Sequence, residues 1–193
     1  MVNRPGAKSL DETEKAVLYS IGALGFTPLR SMVKLQKMHF LLANAFPDLQ
    51  PLLNFRPSLL GPHSEVVESV LENLKNLNLV RQSRGSFALT TKGRHEFDKL
   101  HMNEGMVQVI EDFKDFLNDL PDNEVLTFIY IFYPEYISES AKWDELKGRR
   151  TEIAVSMLRK QKISFSKALE MSDLDGNKFI ELLKASGVRW RTV

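Results

Sequence analysis

The sequence predicts a mainly α-helical protein: a winged helix-turn-helix with a two-stranded wing, a helical middle, and a C-terminal three-helix unit of helix-turn-helix type. Three observations predict it. Residues 61–95 run in the order amphipathic helix, short apolar strand, basic turn, second strand and new helix start, the back half of a winged helix. Residues 106–133 repeat apolar side chains at helical spacing. Residues 151–190 break into three short helices with tight connections, the format of a helix-turn-helix.

Residues 1–10 read as a disordered lead, and residues 11–95 as the winged-helix domain. Asp11 or Thr13 can cap a first helix that runs to about Leu24 and is stopped by Gly25 and Pro28. A second helix, 31–46, carries Val33, Leu35, Met38, Phe40, Leu41, Leu42 and Ala45 around more than half its surface, which predicts burial on several sides. Pro47 and Pro51 break the chain, and Phe55-Arg56-Pro57 leads extended into Gly61-Pro62. Ser64 then caps a helix whose apolar residues are Val66, Val70, Leu71, Leu74 and Leu77. Leu79-Val80 and Phe87-Ala88-Leu89 form the wing strands around an Arg84-Gly85 turn, and Thr90-Thr91 supplies hydroxyls to cap the next helix.

Residues 96–148 read as an acidic helical connector. Met106, Val107, Val109, Ile110, Phe113, Phe116, Leu117 and Leu120 make one apolar face, and Pro121 and Pro134 bound a second helix, 124–133. The aromatic cluster Phe128, Tyr130, Phe132, Tyr133 and Tyr136 fits a base-stacking platform, but core or helix-packing and dimer surfaces are the commoner use of such residues. Residues 149–193 form the basic unit, with helices at 151–161, 164–172 and 176–186. Leu169, Leu174, Phe179, Leu182 and Leu183 are its expected apolar interior.

The overall charge of +1 conceals a segregation. Residues 1–95 hold 12 Lys and Arg against 7 Asp and Glu; residues 96–146 hold 3 against 13; residues 147–193 hold 11 against 5. Two basic ends flank an acidic middle, which suits either solvated helix faces or two cationic surfaces able to meet phosphates. The chain has no cysteine, which excludes disulfides, thiolate nucleophiles and cysteine-based zinc sites and fits a reducing cytoplasm. No apolar run approaches the roughly 20 residues of a bilayer span. His39, His63, His95 and His101 have no tight metal-ligand spacing, and no phosphate-binding glycine loop or nucleophile elbow is present. The expectation is a protein that is not an enzyme, takes no cofactor or metal and meets no membrane.

The candidate nucleic-acid contacts are Arg81, Arg84, Lys92 and Arg94 in or beside the wing, and Asn177, Lys178, Lys184, Arg189 and Arg191 on or beyond the third C-terminal helix. Arg149-Arg150 lead into that unit, and Trp190 suits packing on it or a contact. The helix 64–77 is a poorer reader of DNA, because Glu65, Glu68 and Glu72 repel phosphate and mark a docking face for a cationic partner protein.

Two resemblances follow from local motifs. Lys34-Leu35-Gln36-Lys37-Met38-His39-Phe40-Leu41-Leu42, then Gly61-Pro62-His63-Ser64 and Leu79-Val80, resemble the pattern KLQKL…YGPYS of the Panacea (SocA-type) antitoxins and related winged-helix proteins. Ile129-Tyr130 and Tyr133-Pro134-Glu135-Tyr136 extend the likeness, which covers about residues 12–140. Residues 151–190 resemble a small helical antitoxin-like family, with Ile163, Ser164, Lys167, Ala168, Glu170, Leu174, Phe179, Leu182, Leu183, Gly187 and Val188 in its pattern. Leu169, Met171-Ser172, Asp173 and Asp175 depart from it, Asp173 standing where a turn glycine is usual.

The resemblances imply a cytoplasmic DNA-binding transcriptional regulator of toxin-antitoxin type. DNA is the expected partner, with a toxin protein and a second copy of the chain as further candidates. The alternative is a protein-docking antitoxin or adaptor that makes no specific DNA contact.

Overall fold

In the computed structural model, which describes residues 9–190, helix formation begins at Asp11. Its side chain accepts the Glu14 amide at 2.8 Å while the Glu14 carboxylate accepts the Asp11 amide at 2.9 Å, a reciprocal cap on α1 (Glu12–Phe26). The regular helix ends earlier than its nominal last residue, because Leu24, Gly25 and Phe26 all take positive φ. Ser31 caps α2 (Met32–Ala45), in which every residue from Lys34 to Ala43 is buried, the polar Lys34, Gln36, Lys37 and His39 included; of the expected apolar set, Val33 is half-buried and Ala45 exposed. A 3₁₀ turn (Pro47–Leu49) and α3 (Gln50–Leu53) follow.

Ser64 caps α4 (Glu65–Asn76) and is itself buried. Its hydroxyl accepts the Val67 amide at 3.2 Å and donates to the Leu53 carbonyl. The Gln36 side chain holds the Ser64 backbone from both sides, donating to its carbonyl at 3.0 Å and accepting its N–H at 2.9 Å. Residues from two separated motifs of the sequence therefore meet. The buried stripe of α4 is Val67, Leu71 and Leu74 rather than the expected set: Val66 and Val70 are half-buried, and Leu77 is 41% exposed. Leu77 lies past the last helical residue, where the left-handed Asn78 turns the chain away.

Strands β1 (Val80–Ser83) and β2 (Ser86–Leu89) pair antiparallel with Val80 opposite Leu89 and Ser83 opposite Ser86. Arg84 (φ +49°) and Gly85 (φ +80°) make the two-residue loop, the pair of positive φ values that a tight hairpin turn requires. Leu29 exchanges both backbone hydrogen bonds with Phe87, at 2.9 and 2.8 Å, on the far side of β2. Thr90 caps α5 (Thr91–Phe97), and α6 (Glu104–Asn118) follows.

Then come α7 (Asp122–Phe132), a 3₁₀ turn (Pro134–Tyr136), α8 (Trp143–Lys147), α9 (Arg150–Arg159), α10 (Phe165–Ser172) and α11 (Gly176–Ala185). The described residues are thus mainly helical with one two-stranded sheet. They divide into two units: one takes the described residues through Asn54 with Ser64–Asp115, the other takes Phe55–His63 and the described residues from Phe116. The division falls inside α6, so the acidic stretch 96–148 is shared between them.

Candidate nucleic-acid interface

The hairpin of the first unit exposes Arg81, Gln82 and Ser83 along β1 and Arg84 at the turn. Arg84 adopts a left-handed backbone that glycine or asparagine accepts more readily, so the cation stands at the tip against local preference. The other two wing candidates are partly engaged. Lys92 Nζ donates to the Leu77 carbonyl at 2.8 Å, and the Arg94 guanidinium sits 4.9 Å above the Phe26 ring.

The polar face of α4 carries exposed Glu65, Glu68 and Glu72, with Lys75 joined to Glu72 at 2.8 Å. The Asn73 amide donates to the carboxylate of Glu14 at 2.5 Å. What α4 offers outward is therefore acidic.

In the second unit, Asp173 (φ +62°) closes α10 in the left-handed conformation, the role the usual glycine would have. Asp175 then caps α11, accepting the amides of Asn177 and Lys178 at 3.1 Å each. Both departures from the antitoxin-like pattern thus keep the turn tight. The apolar interior centres on Ala168, Met171, Phe179 and Leu183, whereas Leu169, Leu174 and Leu182 are only half-buried. Asn177, Lys178, Glu181 and Lys184 are exposed together on α11; Lys178 reaches Asp175 at 3.2 Å, and Arg189 is exposed beyond the helix. Arg191 lies outside the described residues.

Arg149 and Arg150 are both engaged, Arg149 at the surface and Arg150 against α10. Arg149 forks onto Glu152 at 3.0 and 3.2 Å. Arg150 donates to the carbonyls of Met171 and Glu170 at 2.6 and 3.2 Å and meets Asp173 at 3.3 Å, while the Thr151 hydroxyl donates to the Ser172 carbonyl at 2.8 Å. Together they close the C-terminal end of α10, where unpaired carbonyls collect.

The aromatic cluster of the middle is used for packing. Tyr130 is fully buried, its hydroxyl accepting Ser140 Oγ at 2.7 Å and its ring 5.8 Å from Trp143. Phe128 lies 5.3 Å from Phe116 and 4.8 Å from Phe132, and Lys167 Nζ covers the Phe132 ring at 4.0 Å. Trp190 stacks on Phe165 at 5.9 Å.

Several buried polar groups escaped sequence reading. Lys114 is buried in the first unit and donates to the carbonyls of Ile21 and Ala23 at 2.8 Å each, and burial pushes its ammonium down to about 7 against the partial opposition of Glu111. His39 is fully buried, which lowers it to about 4; Nδ1 lies 2.9 Å from the Leu35 carbonyl. Tyr19 is raised to about 12 by burial, by its hydrogen bond to Glu111 at 3.0 Å and by that carboxylate's charge. Glu124, buried in the second unit, receives Ser156 Oγ at 2.7 Å and Lys160 Nζ at 2.8 Å. The partners of Lys114, Tyr19 and Glu124 are distant in sequence, so no local motif announces them.

Among the described residues no helix is long and apolar enough to cross a membrane, and no group of three or more His, Asp or Glu is placed to hold a metal ion. Residues 128–193, about a third of the chain, match the model of an uncharacterised protein family, UPF0175. Searches of curated proteins and of solved structures found no match. The chain is similar to UPF0175 from within α7 through α8 to α11 and beyond.

Proposed function

We propose that the chain is a DNA-binding transcriptional regulator of toxin-antitoxin type, acting in the cytoplasm with no catalytic step and no cofactor. The observation that carries this reading is the exposed face of α11, where Asn177, Lys178 and Lys184 stand on the second helix of a tight two-helix turn with Arg189 just beyond. Short amides and cations on such a helix suit base edges and phosphates. The first unit supports it: α1, the Leu29 bridge, α2, α4 and the β1–β2 hairpin follow the order of a winged helix, with Arg81 and Arg84 on the wing. The antitoxin assignment rests on the motif resemblances to the Panacea and small helical antitoxin-like families.

Fluorescence anisotropy with duplex DNA from upstream of its own gene tests the reading. Binding to that duplex at least about tenfold tighter than to an unrelated duplex is expected. Equal affinity for both would remove the regulator.

The exposed acidic face of α4 favours a second reading, a protein-docking antitoxin or adaptor. A cationic toxin would then bind the parent and lose affinity when Glu65, Glu68 and Glu72 are replaced with alanine.

A further inference from the structure

Within the second unit, the end of α9, the start of α10 and residues 189–190 enclose an open groove of about 590 Å³. Its walls include Leu158, Lys162, Ser164, Phe165, Arg189 and Trp190. This volume falls within the range of small-ligand sites. Apolar and polar groups are segregated in a useful way. Phe165 and Trp190 stack on one another, 24° between planes and 5.9 Å between ring centroids, so an aromatic pair lines the groove. Ser164 caps α10, which leaves the first N–H groups of that helix directed at its N-terminal end, the positive end of the dipole. Lys162 is held by Asp119 at 2.8 Å, and no ion pair engages Arg189 among the described residues. An aromatic pair and an exposed guanidinium beside amide donors suit a ligand that is planar at one end and anionic at the other.

We propose that this groove binds a nucleotide, with the base stacked on Trp190 and the phosphate held by Arg189 and the first turn of α10. Base–aromatic stacking tolerates any base, so little base preference is expected. The inference does not rest on duplex reading by α11. Two sources present the same chemistry: a free mononucleotide, or one nucleotide of a single strand.

The test is calorimetric titration of the full chain with the four nucleoside monophosphates, with short oligothymidylate and with inorganic phosphate. Saturable binding of nucleotides, weakened at least about tenfold by Arg189→Gln and by Trp190→Leu, is the expected result. Trp190→Phe should restore most of it, which a merely misfolded Trp190→Leu would not explain. The double variant Lys178→Ala, Lys184→Ala should bind nucleotides like the parent. A mononucleotide equal to the oligomer identifies a free ligand, and a much tighter oligomer identifies a strand. No nucleotide binding, binding indifferent to Arg189→Gln, or phosphate alone bound as tightly as a nucleotide would each overturn the proposal. Loss of duplex binding with nucleotide binding intact would remove the regulator and leave the groove.

Discussion

Lys114 occupies an environment far from what its residue type leads one to expect. A buried ammonium that ordinarily titrates near 10.5 is lowered to about 7, yet it satisfies two carbonyls at the broken end of α1. Between those pH values the unfolded chain holds the proton and the folded chain releases it, so stability rises with pH across that window. Relative to Lys114→Met, parent stability should climb by about 1.4 kcal/mol per pH unit from about pH 7 to 10.5 in denaturant titrations. A parallel profile would contradict the burial. His39 has the same sign at lower pH: lowered from 6.5 to about 4, it stays neutral when folded, so stability should fall as pH drops through that interval. His39→Leu should flatten the loss. Arg84 gives a different expectation. Because its left-handed backbone suits asparagine better, Arg84→Asn should stabilise by about 0.5–1 kcal/mol while weakening DNA binding, and a variant that gains stability with unchanged binding would separate the wing from DNA. Caps such as Asp11, Ser64 and Thr90 were legible because a cap acts on amides two or three residues away. Lys114 was not, since its carbonyl partners lie 91 and 93 residues back along the chain.

At the scale of elements, the hairpin was legible from alternation and the Arg84-Gly85 turn, but its third neighbour was not. Leu29 is a single bridging residue and has no strand pattern of its own. Gly93 shows what anchors the hairpin to α5: a Cβ there would collide with the Leu79 carbonyl, a backbone atom that a side-chain rotation cannot move. Gly93→Ala should therefore lower stability by about 2 kcal/mol or more, measured by urea unfolding, although alanine is the better helix former. An unchanged midpoint would mean that the strand and helix are not so closely apposed. The short helices α3 and α8 were missed because four or five residues carry less than two turns of periodicity. In the C-terminal unit the helix order was readable, but the choice of Ala168 and Met171 over Leu169 as core was not. Arg150 and Thr151 fix the end of α10 on α9, and that rotation decides which side chains face inward.

For the whole molecule, charge segregation was visible in the sequence, whereas which cations remain available was not. Arg150 is taken up by the end of α10 and Arg149 pairs with Glu152 at the surface, while Lys184, Arg189, Arg81 and Arg84 are exposed. The candidate interface is accordingly smaller than the count of basic residues suggests. Each lysine or arginine that neutralises a phosphate releases about one counterion, so affinity for duplex DNA should fall steeply with salt. The most direct measurement is a salt titration of the proposed duplex-DNA binding for the parent and for the triple variant Lys178→Ala, Lys184→Ala, Arg189→Ala. The account predicts a variant with weaker binding and a shallower dependence of log affinity on log salt, by about two to three counterions. A variant that keeps both the affinity and the slope of the parent would contradict it.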